Sequence, residues 1–241
     1  MIDSSLILEG ETVLDKVNLN INSGSTTVIF GRSGSGKSTL LKCLAGLIKI
    51  SDGQVLFNND NILKMNEKHY FAMQAQSGFV FQDAALWSNR SIYDNLAIPL
   101  QVLDPFMDKK SIDKRIRSAV NMFNLKDNLM VRPSAISAGE KKIISFLRAM
   151  MTDPEILFLD EPTTSIDKKN VSRLNAIIKE LKKRQKTIIT VTHDFLLAKS
   201  IADNIILIDE GRIIKSGSFD SIIYSEDEEI INIIEEIKGQ V

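Results

Sequence analysis

The sequence predicts an α/β fold around a sheet that is buried on both faces, and three observations carry that prediction. Short, continuously apolar runs at residues 155–159, 187–191 and 204–208 have the length and β-branched content of strands covered on both sides. A further run, Thr26–Phe30, ends at a glycine and is followed over 39–48 by good helix formers, so that strand, loop and helix succeed one another. Helix-length connections separate the runs. Residues 171–184 place Val171, Leu174, Ile177, Ile178 and Leu181 at helical spacing with lysines opposite, and another connection joins the 187–191 and 204–208 runs.

The stretch from 84 to 137 departs from this alternation. Its apolar positions Ile112, Ile116, Val120 and Phe123 recur every three or four residues and β-branched runs are scarce, which predicts a helical insertion. The expected organisation is one domain over 1–241, with a core from 1–83 and 138–241 and a helical subdomain over 84–137. The tail, 220–241, alternates acidic clusters with isoleucine pairs and is expected to form a helix.

Bulk properties narrow the function classes. With 30 Lys+Arg against 31 Asp+Glu the chain has no global field to draw it to nucleic acid or anionic lipid. The single cysteine, Cys43, excludes an internal disulfide framework and suits a reducing compartment. The N-terminus does not read as a signal peptide, and the apolar runs fall far short of the roughly 20 residues of a spanning helix. A cytosolic chain is expected. Cys43, Met150 and Met151 read as core filler, and His69 as a surface residue.

The loop after Thr26–Phe30 reads Gly31, Arg32, Ser33, Gly34, Ser35, Gly36, Lys37, Ser38, Thr39. The spacing Gly-x4-Gly-Lys-Ser is that of a phosphate loop: backbone N–H groups and a helix N-terminus hold phosphates, Lys37 reaches the terminal phosphates, and Ser38 serves Mg2+. Glycines are needed because side chains would block the oxygens. Such a loop alone does not separate kinases, GTPases, helicases and transport ATPases. Farther on, ILFLDE (156–161) is an apolar run ending in two carboxylates. Beside a phosphate loop, Asp160 at the strand end supports Mg2+ and Glu161 polarises the attacking water.

At 137–141 the chain reads Ser-Ala-Gly-Glu-Lys, upstream of ILFLDEP and followed by Arg148 and Ala149. In place and spacing this resembles the signature sequence of ATP-binding-cassette (ABC) ATPases. Gln82 lies where that family has its Q-loop, residues 164–167 (TSID) resemble the D-loop, and His193 resembles the switch histidine. The resemblance covers nearly the whole chain. It implies an N-terminal antiparallel β-subdomain and ATP with Mg2+ as cofactors, with Gln82 joining Ser38 and Asp160 at the metal and His193 helping Glu161 hold water in line. It also implies a head-to-tail dimer, in which Ser137, Gly139 and Glu140 of one copy meet the γ-phosphate held by the other and Asp167 couples the two sites.

Three positions depart from the family pattern. Leu8 stands where an aromatic residue usually stacks on adenine, leaving Leu8 and Val13 for base recognition and predicting weak discrimination between ATP and GTP. The signature has Ala138 for the usual first glycine, and Ile143 where an arginine is common.

By the same resemblance the chain is the ATP-hydrolysing subunit of a transporter, on the inner face of the cell membrane, working with separate transmembrane permease subunits and no nucleic acid. Residues 83–100 resemble the surface that receives a permease, with Trp87, Ile92 and Tyr93 as candidate groove residues. The wording of 82–100 is most similar to ATPases of Mla/Mce-type phospholipid transport systems, which adds a periplasmic or membrane lipid-binding component to the expected partners. Methionine-importer and lipoprotein-release ATPases have comparable segments, and residues 132–134 (RPS) resemble importers. A soluble ABC protein and a P-loop kinase are the competing classes; a kinase has no need of Ser137, Gln82 and His193 in this order.

Overall fold

A computed structural model describes residues 1–125 and 129–239; positions 126–128 of the predicted insertion and 240–241 of the predicted tail helix lie outside the described residues. In chain order the elements are β1 (Ile2–Leu8), β2 (Glu11–Val17), β3 (Thr26–Phe30), α1 (Lys37–Leu44), β4 (Asp52–Gln54), β5 (Leu56–Phe57), β6 (Asp60–Asn61), α2 (Glu67–Ala75) and β7 (Ser77–Val80). They continue with α3 (Ile92–Leu103), α4 (Lys109–Asn121), α5 (Ala138–Met150), β8 (Ile156–Asp160), α6 (Lys168–Lys183), β9 (Thr187–Val191), α7 (Phe195–Ile201), β10 (Asn204–Asp209), β11 (Arg212–Gly217), α8 (Phe219–Ile223) and α9 (Glu228–Gly239).

The predicted strands form one six-stranded sheet in the order β11-β10-β3-β9-β8-β7. All its pairs are parallel except β10 with β11. Because strand side chains alternate, each run feeds two cores. Val28 and Phe30 face the helical layer of α3 to α9, with the Phe30 ring 5.0 Å from that of Phe195 in α7, whereas Ile29 faces α1 and the N-terminal strands; Leu157 and Leu159 part from Phe158 in the same way. This is why the runs are apolar throughout rather than alternating. A second sheet, β2-β1-β4, is antiparallel and gives the N-terminal β-subdomain implied by the family resemblance.

The inserted segment is helical as its spacing predicts: Ile112, Ile116, Val120 and Phe123 are all buried against the sheet-facing core. The tail is different. It is two helices, α8 and α9, interrupted where Ser225 and Asp227 turn their side chains onto the following backbone N–H groups of Asp227 and Glu229. Such local bonds compete with helix continuation. The helix after the glycine loop also starts earlier than the apolar pattern suggests, at Lys37, because Gly36 at φ 95° turns the chain directly into it.

Candidate active site

The parallel strands deliver their following residues to one edge of the sheet, the carboxyl edge, where ligands of α/β sheets bind. β3 leads into Gly31, β8 ends in Asp160 with Glu161 next, β9 is followed by His193, and β7 by Gln82. Four separated stretches of sequence therefore meet because of strand order.

The glycines of the loop answer either to a close contact or to a left-handed backbone. A Cβ on Gly31 would lie 2.1 Å from the Ile208 carbonyl oxygen, and Gly34, at φ +78°, has nothing within 4 Å of its would-be Cβ. Gly36 is left-handed with the Val13 carbonyl oxygen 3.0 Å from such a Cβ, and it offers no side-chain cap to α1. The first N–H groups of α1 are thus left for an anion. Lys37 is buried and folds back to donate to the carbonyls of Gly31 and Arg32. Ser35 Oγ is buried without a hydrogen-bond partner, while Ser33 is exposed and Thr39 half-buried. Arg32 reaches away from the cradle, donating to Asp209 at 2.6 Å and to Glu236 of α9.

Ser38 Oγ donates to Asp160 Oδ1 at 2.9 Å, which joins the loop to the β8 carboxylate. Two hard oxygen donors beside a phosphate cradle fit Mg2+, a cation that needs few protein ligands when phosphates and waters supply the rest. Burial pushes Lys37 down against the opposing pull of Glu161, Asp160 and Asp209, and pushes Asp160 up against its bond from Ser38.

Glu161 sits in the left-handed region, φ 48°, with its N–H bonded to Val191 O. A non-glycine residue there is strained and marks a place where the surroundings dictate geometry. Burial pushes its carboxyl up to about 7, opposed by the His193 backbone N–H and assisted by the Asp160 charge. His193 Nε2 lies 3.0 Å from Glu161 Oε1, but the approach is not directed as a hydrogen bond, and Oε1 and His193 Nδ1 both remain buried and unpartnered. Burial, with Lys37 nearby, keeps the imidazole below its ordinary value. A carboxyl poised near neutrality beside a neutral imidazole can accept a proton from water.

Ser137 caps α5 in a capping box with Glu140: Ser137 Oγ accepts from the Glu140 N–H, and the Glu140 carboxylate accepts from the Ser137 N–H at 2.9 Å. Gly139 lies against the turn after β8, where an added Cβ would be 2.6 Å from Ser165 O. Asp167 spends its carboxylate on the cap of α6, accepting from Asn170 N–H at 3.0 Å. Gln82 is exposed just beyond β7.

On the base side, Val13 is half-buried against Gly36, while Leu8 is 43% exposed at the end of β1, paired with Glu11. Of the residues expected to line a partner groove, Trp87 does so. It is 46% exposed, flanks an open groove of 440 Å3 with Phe71, Phe81, Val102 and Leu103, and carries the Arg148 guanidinium 5.2 Å from its ring. Ile92 and Tyr93 do not line it: Ile92 is 2% exposed in the helical core and Tyr93 packs against that core.

A family model for the ABC transporter matches residues 14–164, across the glycine loop, the Ser137 helix and both carboxylates. The chain belongs to the ABC transporter family. Curated relatives include the methionine import ATP-binding protein MetN of Clostridium tetani, 32% identical over 229 residues, covering 94% of this chain and 71% of the relative. MetN of Haemophilus influenzae is 31% identical, over 88% of this chain and 61% of the relative, and MetN of Rhodopseudomonas palustris 34%, over 85% and 55%. Against these three the chain thus spans 55% to 71% of their length.

Among solved structures, the dimeric post-hydrolysis state of the ATP-binding cassette MJ0796 bound to ADP and Pi superposes with a TM-score of 0.84 at 27% identity, over 90% of this chain and 97% of that one. The cbiO1 component of the cbiONQ complex from Clostridium perfringens does so at 0.76 and 28%, over 100% and 92%. The chain is accordingly an ABC ATPase domain, with the α/β core, helical insertion and N-terminal antiparallel sheet of its family. These curated relatives are named for methionine import, not for the phospholipid systems that residues 82–100 resemble.

Sequence reasoning missed two groups. Lys142 donates to three backbone carbonyls around the site, and Asp209 with Glu236 holds Arg32 of the glycine loop. The signal for Lys142 was a charge on an apolar stripe, four and seven residues before Phe146 and Ala149. Glu236 gave none, since it is one of several acidic residues in the tail.

Proposed function

We propose that this chain is the ATP-hydrolysing subunit of an importer-type ABC transporter, acting on ATP at the loop 31–39 and on water at Glu161. The observation that carries the reading is the meeting of Ser38 with Asp160 and of Glu161 with His193 at one sheet edge. ATP phosphates occupy the loop amides and the α1 N-terminus, and Lys37 leaves its own loop carbonyls for the terminal phosphates. Ser38, Asp160 and Gln82 are the residues that would hold Mg2+, which when bound neutralises charge on the β- and γ-phosphates. Glu161 takes a proton from the attacking water as its oxygen bonds to the γ-phosphorus; the bond to the bridging oxygen breaks, ADP keeps that electron pair, and phosphate leaves. His193 holds the carboxyl and the water in place.

The partners follow from the incomplete site. Ser137, Gly139 and Glu140 of a second copy close over the γ-phosphate, consistent with the dimeric, nucleotide-bound state of the MJ0796 cassette. The Trp87 groove receives a transmembrane permease, so the chain works at the inner face of a membrane; among the described residues no helix is long and apolar enough to cross one. For cargo, the MetN relatives favour a methionine-like amino acid. The wording of 82–100 favours a phospholipid with a lipid-binding component.

Two measurements test this. Glu161→Gln should lower phosphate release by about 100-fold or more while ATP still binds; retained turnover removes Glu161 as the base. Purification of the membrane complex with its bound cargo separates the cargo readings. An amino-acid permease without enriched lipid defeats the phospholipid reading, and a lipid-loaded complex defeats the methionine one.

A further inference from the structure

Helix α5 is buried over most of its surface, and that buried surface holds a cation. Lys142 is 3% exposed. Its ammonium donates to Phe81 O at 2.9 Å, Gln82 O at 2.8 Å and Asp160 O at 3.1 Å. An ammonium has three N–H donors and accepts nothing, so every donor is used.

The position of those carbonyls gives the contact its meaning. The β7–β8 ladder runs in register from Ser77↔Ile156 to Val80↔Leu159 and stops there. Phe81, Gln82 and Asp160 are the residues just beyond its last pair, where the two strands part. Lys142 takes over where the ladder ends. Six residues on, Arg148 donates to Ala85 O at 2.8 Å and to Ala84 O at 3.4 Å, and these two alanines hold left-handed φ values of 45° and 66°. The loop after β7 is therefore gripped at four carbonyls by the same helix that begins at Ser137 and Gly139.

We infer that Lys142 is a positioning residue for hydrolysis: by fixing the Gln82 backbone to the Asp160 backbone, it sets the separation of two metal-site residues that share no bond of their own. This rests on the reading of Gln82 and Asp160 as site residues given above. It also makes the start of α5 and the Gln82 loop one mechanical unit, since both are carried by α5. A buried lysine with saturated donors could serve stability alone, so the test needs readouts that a stability role does not move.

The experiment compares Lys142→Met, Lys142→Arg, Gln82→Ala and the Met/Ala double variant in the full chain. Hydrogen exchange is followed on the nucleotide-free protein, and steady-state hydrolysis is followed against ATP and Mg2+ separately. Lys142→Met should lower kcat about tenfold and raise the Mg2+ concentration for half-maximal rate about tenfold, as loss of a group orienting metal ligands does. KM for ATP should stay within about twofold, because the phosphate loop is untouched. In the nucleotide-free chain, amides 82–86 should exchange faster while β3 and β9 keep their protection. Lys142→Arg should recover most of the rate, and the double variant should be no worse than the worse single one.

A Lys142→Met protein with a lowered melting temperature but parental kcat and Mg2+ dependence overturns the inference, as does strict additivity with Gln82→Ala. If the Met variant does not fold, Lys142→Gln, which keeps an N–H donor without the charge, decides by the same readouts. Unchanged hydrolysis in Gln82→Ala instead removes the underlying reading of Gln82.

Discussion

The signature helix carries alanine at 138 and glycine at 139, and one methyl group at each position should have opposite consequences. A Cβ on Gly139 would stand 2.6 Å from Ser165 O, whereas carbon and carbonyl oxygen rest at about 3.3 Å or more, so something must move by about 0.7 Å. The obstacle is backbone. Ser165 is itself left-handed at φ 66°, in a turn whose Thr164 N–H bonds back to Glu161 O. Overpacking of this kind costs about 1–3 kcal/mol. The better helix propensity of alanine offsets at most about 1 kcal/mol of it. The net loss, up to about 3 kcal/mol, should lower the melting temperature of Gly139→Ala by as much as about 12 °C in a chain of this size. Phosphate release at saturating ATP should fall further than stability does, because the displaced turn holds the strained Glu161. Ala138 is exposed, so Ala138→Gly makes no clash and costs at most the propensity difference, about 1 kcal/mol. Thermal melts and steady-state rates of the two variants side by side decide the matter. A Gly139→Ala protein that melts and turns over like the parent, or an Ala138→Gly protein that is the more damaged, refutes the steric argument.

Other expectations concern the base side, the thiol and the groove. With Leu8 at the base position the parent should hydrolyse ATP and GTP at comparable rates, and Leu8→Tyr should lower KM for ATP about fivefold through about 1 kcal/mol of stacking; strict ATP dependence in the parent sinks this. Cys43 is fully buried and its thiol is pushed up to about 11 by that burial, so alkylation in native buffer should be no faster than global unfolding; rapid native labelling contradicts the core placement. Trp87→Ala should weaken capture of the permease about thirtyfold, the scale of a buried aromatic anchor worth about 2 kcal/mol. Equal capture by parent and variant would falsify the groove assignment.

The strands and the phosphate loop were legible because both rest on local rules. Burial on two faces demands uninterrupted apolar runs such as Ile205–Ile208, and phosphate contact demands glycine where a Cβ collides, as at Gly31. What escaped depends on direction. Ile92 and Trp87 are equally apolar in the sequence, yet the helical core takes Ile92 while the backbone of Trp87, bonded to the buried Asn95, leaves its ring at the surface. Lys142 escaped because its partners are carbonyls, which every residue possesses and no pattern records. The break in the tail turned on whether Ser225 and Asp227 bond to their own neighbours, a choice that composition leaves open.

Arg32 occupies the second position of the phosphate loop and is tied to Asp209 at the end of β10 and to Glu236 in α9, whose isoleucines Ile230, Ile233, Ile234 and Ile237 are buried in the main core. A substitution at Arg32 therefore releases two carboxylates at once, one at a strand end and one on α9, so the second position of the loop belongs as much to the tail of the chain as to the phosphate cradle.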